Sequence, residues 1–98
     1  MTQESIDQDL TDNSQYRAAV IDLLAVLAVS ELTAFERMAA DSVLAPTFAD
    51  KASIGELATA EFRHFIALRN RLVELGADPE IAMEPFRQTL EDFHMKTK

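Results

Sequence analysis

The sequence predicts an all-α protein in which an antiparallel helical hairpin is followed by a shorter third helix. Three observations carry this expectation. Good helix formers (Ala, Leu, Glu, Met) are abundant, while only two Gly and three Pro interrupt 98 residues. Apolar residues recur at steps of three and four along two long segments. The strongest turn signals, Pro46 and the stretch Gly76 to Pro79, fall between the periodic segments. A chain this short makes one domain and buries only about 60–65% of its unfolded surface, so its margin for standing alone is thin.

Residues 1–13 (MTQESIDQDLTDN) hold few apolar side chains to offset the entropy of ordering, and the expectation is a disordered acidic tail ahead of a domain over 14–98. From Ser14 to about Val43 one long helix is predicted, with an apolar seam at Val20, Leu24, Leu27, Ala34 and Met38. Pro46 ends it. Thr47 followed by Asp50 has the form of a capping box, and Ser53 with Glu56 is a second candidate for the same role. The second helix runs to about Leu75 through Ile54, Leu57, Leu68 and Leu75, with Phe62, Phe65 and Leu72 widening its stripe. Gly76 is its expected stop. Asp78 and Pro79 then offer a cap and a first-turn proline for a third helix through Met83, Phe86, Leu90 and Phe93, with Pro85 in its first turns.

The formal net charge of -8 opposes long-range attraction to phosphate backbones and anionic membranes, which argues against a nucleic-acid partner. With no cysteine, thiolate metal sites and iron–sulfur clusters are excluded, and carboxylate and imidazole remain as the strong metal ligands. The N-terminal residues show no basic region followed by an apolar one, and no uninterrupted apolar stretch approaches about 18 residues. The expectation is a soluble, cytoplasmic protein without a membrane partner.

Both seams break in the same way. The first reads Leu24, Leu27, Glu31, Ala34, Met38, and the second reads Ile54, Leu57, Glu61, His64, Leu68. A carboxylate in an apolar stripe must be paired, protonated or bound to a metal, because burying it alone is too costly. Glu31 lies about 12 residues before the end of the first helix and Glu61 about 13 after the start of the second. At ~1.5 Å per residue both stand roughly 18–20 Å from the turn, so an antiparallel hairpin brings them to one level. The three-residue spacing of Glu61 and His64 puts both on one helix face, within reach of a common ion.

One Glu from one helix and Glu-x-x-His from its neighbour is half of the ligand set of di-iron carboxylate bundles. On these residues the sequence resembles the ferritin-like superfamily, which includes rubrerythrins, bacterioferritins and di-iron hydroxylases. The stretch ELTAFERMAADSVLAPTFADKASIGELATAEFRHF is most similar to actinobacterial ferritin-like proteins related to a tRNA-modifying hydroxylase, and the resemblance covers about Tyr16 to His94. Proteins of that branch carry a second pair of long helices with the remaining ligands. Either this sequence is a fragment or short form of such a protein, or the source is a second copy: a homodimer supplies Glu31, Glu61 and His64 twice, covers the exposed seams and completes a four-helix bundle. The resemblance implies a dinuclear iron cofactor (Fe2+/Fe3+), and the hard oxygen and imidazole donors also suit manganese and argue against a closed structural zinc site.

The functional expectation is oxidation of Fe(II) by O2 or peroxide, with Glu61 as bridge, His64 as terminal nitrogen donor and Glu31 as terminal or chelating carboxylate. The resemblance adds a hydroxylase-like use of that chemistry, with a small-molecule channel lined by Phe35, Phe62 or Phe65. Two other classes fit the same residues: an iron-handling protein with no organic substrate, and a non-catalytic dimerisation module with a buried Glu/His network. Arg71 is two to three turns from Glu61 and is a poor counter-ion for it. Glu36 and Glu56 lie off the seam and are expected in solvent, and Tyr16 is expected to pack at the bundle end. A second Glu-x-x-His, Glu91 to His94, lies beside the stripe of the third helix and is expected on the surface, the alternative being a ligand supplied by the third helix within one chain.

Overall fold

In a computed structural model of the chain, the backbone is described for residues 3–97 and the side chains for 13–90. Three helices follow one another, α1 over Gln3–Leu44, α2 over Phe48–Glu74 and α3 over Pro79–Thr97, with no strand among the described residues. The predicted all-α class and the order of elements are thus observed. α1 is drawn back to Gln3, ahead of the expected start at Ser14. The expected tail over 1–13 falls almost wholly outside the residues whose side chains are described.

Local chemistry explains where the helices stop and start. Thr47 takes extended backbone angles (φ -128, ψ 160), and its hydroxyl accepts the Asp50 N–H at 3.0 Å, so Thr47 rather than Ser53 caps α2. At the other end Gly76 adopts φ +82, which only glycine reaches without strain. The turn this allows lets the Gly76 N–H donate to the Val73 carbonyl at 2.9 Å and the Ala77 N–H to the Leu72 carbonyl at 3.0 Å, so two end carbonyls are satisfied. The Asp78 carboxylate accepts the Glu80 N–H at 2.9 Å and opens α3.

Each long helix is also finished by a cation from the other. The Lys51 ammonium, in the first turn of α2, donates to the carbonyls of Ser42 and Val43 at 2.9 and 3.0 Å, at the C-terminal end of α1. The Arg17 guanidinium, on α1, donates to the Leu75 carbonyl at the end of α2. Both place positive charge at the negative end of a helix dipole. Neither residue stood out in the sequence.

The packing corrects the expected core. The buried apolar residues are Ala25, Ala28, Val29, Ala58 and Leu72, whereas Leu27 and Leu57 of the predicted seams remain 42% and 59% exposed. The two helices approach along a line where alanines permit close contact, and the other seam residues are half-buried beside it. A period-3.6 stripe marks the axis of a bundle, and in a two-helix layer that axis has nothing on its far side. α3 lies mainly against α1. Tyr16, expected to pack, is 72% exposed. The molecule measures 67 × 28 × 17 Å, a thin slab rather than a closed bundle. Within α1, Asn13–Leu44 is long and apolar enough to cross a membrane by length and composition alone, yet only 17% of its most apolar window is buried.

Candidate metal centre

Glu31 projects from α1 about 13 residues before its end, and Glu61 and His64 project one turn apart from the middle of α2. The antiparallel pairing brings the three to one height, as the distances from the turn require. A carboxylate oxygen of each glutamate and an imidazole nitrogen lie within 4.8 Å of one another. Among the described residues no other such group of three is present.

The surroundings are uneven. The Glu31 side chain is 28% exposed and that of His64 61% exposed, while Glu61 is half-buried. The Glu31 Oε2 atom is itself buried and has no hydrogen-bond partner. Its nearest basic atom is His64 Nδ1 at 3.6 Å, beyond hydrogen-bond range. A buried carboxylate oxygen with no donor costs about 1–3 kcal/mol or more, so the position is uncomfortable until a cation or proton meets it.

Rings stand beside the donors. Phe35, one turn after Glu31, meets Phe62 at a tilt of 53° with centroids 4.9 Å apart, and Phe62 meets Phe65 at 5.8 Å. Phe62 and Phe65 directly follow Glu61 and His64, so the same helical turns that aim the donors also set an apolar wall next to them.

The alternative partners fall away. Arg71 pairs with Glu74 at 2.9 Å on the exposed side of α2 and does not serve Glu61. Glu56 is exposed, as expected. Glu36, also exposed, lines a cleft of about 540 Å³ beneath α3 with Val29, Leu32, Phe65 and Met83, and does not join the three donors. The second Glu-x-x-His, Glu91 and His94, lies outside the residues whose side chains are described.

A helical hairpin with Glu on one strand of the hairpin and Glu-x-x-His on the other, converging at mid-height, has the form of a carboxylate-bundle protein. Residues 14–98 match the family described as ferritin-like domain, actinomycetes, and the chain belongs to that family. No curated protein and no solved structure matches it.

Proposed function

We propose that the chain is a di-metal ferritin-like protein that oxidises Fe(II) with O2 or peroxide, with Glu31, Glu61 and His64 as the metal ligands. The observation that carries this reading is the buried Glu31 Oε2, without a hydrogen-bond partner, within a cluster of three donor atoms no more than 4.8 Å apart. Two carboxylates and an imidazole, without sulfur, form a donor set suited to iron or manganese. Iron bound there would supply one-electron redox chemistry towards dioxygen or peroxide.

The chain's own part is to hold and to shield. Glu31 and Glu61 would provide the negative charge that draws in a divalent cation, and the exposed His64 would provide an imidazole nitrogen. Phe35, Phe62 and Phe65 keep an apolar wall on one flank of the donors. The acidic balance of the chain favours cations over phosphate backbones, so the reading carries no nucleic-acid substrate.

The test is reconstitution with Fe(II) under anaerobic conditions, elemental analysis, and then admission of oxygen. The expected result is about one iron per chain, with oxygen consumed and ferric absorbance appearing without any organic substrate. Glu61→Ala should keep its helical circular dichroism and lose the iron. A folded native protein that retains neither iron nor manganese would sink the proposal, and iron binding without turnover until an organic substrate is added would favour the hydroxylase form.

A further inference from the structure

We infer that the cleft beneath α3 binds an elongated organic cation, an alkylammonium with its chain on the apolar floor and its charge at the Glu36 and Glu80 carboxylates. None of the residues lining the cleft is one of the three metal donors, so the inference does not rest on the metal-centre reading.

The shape of the cleft comes from the way α3 is held, mainly against α1 and little against α2. Val29 is buried along its floor, and Leu32, Phe65, Met83 and Leu90 are half-buried there. The space is about 540 Å³, within the roughly 300–1,000 Å³ of small-molecule sites. Its lining on α3 extends from Glu80 to Leu90, about 15 Å by helix rise. Spread over that length, the volume makes a channel about 7 Å across, narrower than the roughly 10–12 Å of a helix with its side chains. A further helix, from a partner or from a longer form of the chain, does not enter it. An extended hydrocarbon chain does.

The charge of the rim selects the head group. Glu84 is held by Arg87 at 2.6 Å, and Arg37 on the same rim is also engaged. The carboxylates of Glu36 and Glu80 take part in no ion pair among the described residues. The apolar floor therefore lies under uncompensated negative charge, in a chain of net charge -8. A fatty carboxylate meets repulsion there. A small hydrated cation gains nothing from the floor, whereas a cation that carries a hydrocarbon chain uses floor and rim together.

Isothermal titration calorimetry of the chain with n-octylammonium, in EDTA, tests this. The expected result is one site per chain, with octanoate bound at least ~10-fold more weakly. Hexylammonium, two methylenes shorter, should bind roughly 10-fold more weakly than octylammonium. Glu36→Gln with Glu80→Gln should weaken octylammonium about 5–10-fold. Glu56→Gln with Glu74→Gln, the same change of net charge outside the cleft, should leave it unchanged, with helicity checked by circular dichroism in each case. In NMR spectra the Met83 methyl should shift on binding, and the exposed hairpin tip at Leu44 and Phe48 should not. Absence of binding, octanoate bound as tightly as octylammonium, no dependence on chain length, or equal loss from the two double variants overturns the inference. So does a shift centred on Leu44 and Phe48, which marks adsorption to exposed apolar surface. Because EDTA keeps the metal centre empty, failure here leaves the metal reading untouched.

Discussion

The ends of the hairpin and its middle are built to different standards of completion. At the ends, Thr47 answers an N-terminal N–H, the turn at Gly76 satisfies two carbonyls, and Lys51 and Arg17 reach across to cap the opposite helix. In the middle, Glu31 Oε2 is buried without a hydrogen-bond partner, and Leu27 and Leu57 face water beside it. Helix ends must be satisfied within the chain because their orphan groups exist whatever binds. A binding surface can remain unsatisfied, since its cost is met when the ligand or partner arrives. The difference therefore points to the middle as the region that acts.

Changes in the middle should alter binding, and changes at the ends should alter stability. The largest effect is expected from Glu31→Ala, which should abolish stoichiometric iron in elemental analysis, while Glu36→Ala, exposed beneath α3, should leave it intact. Equal loss in both would break the contrast. Leu72→Ala removes a side chain with 0% exposure from the contact between the helices, and should cost about 2–4 kcal/mol in urea unfolding followed by circular dichroism.

Gly76→Ala forces a side chain into φ +82 and sets its Cβ 3.1 Å from the Arg17 guanidinium. About 1–2 kcal/mol of destabilisation should follow, with metal content unchanged. Thr47→Ala should cost about 1 kcal/mol by loss of the cap. In the opposite direction, Glu31→Leu should stabilise the metal-free chain by about 1 kcal/mol, because it removes a buried acceptor that has no donor. A Glu31→Leu chain less stable than the metal-free wild type would show that the middle is satisfied in some way its geometry does not reveal.

Much of this arrangement was legible in the residues. The caps at Thr47 and Asp78 and the stop at Gly76 are set within a few residues of the chain, and the equal distances of Glu31 and Glu61 from the turn follow from the rise of a helix. The line of contact was not legible. Ala25, Ala28 and Ala58 carry too little apolar area to stand out in a periodicity, yet their size lets the backbones approach, and that contact displaces Leu27 and Leu57 outward. Lys51 and Arg17 gave no signal in the sequence, because only the partner helix supplies the carbonyls they reach.

By itself the sequence determined the three helices, the turns between them and the common level of the three donors, because hydrogen bonding and rise act along the chain. Tertiary structure alone decided which side of each helix meets the other, and with it that Glu31 Oε2 is buried while Leu27 and Leu57 stay exposed. That choice depends on how two surfaces fit in space, and the fit is a property of the pair rather than of either segment.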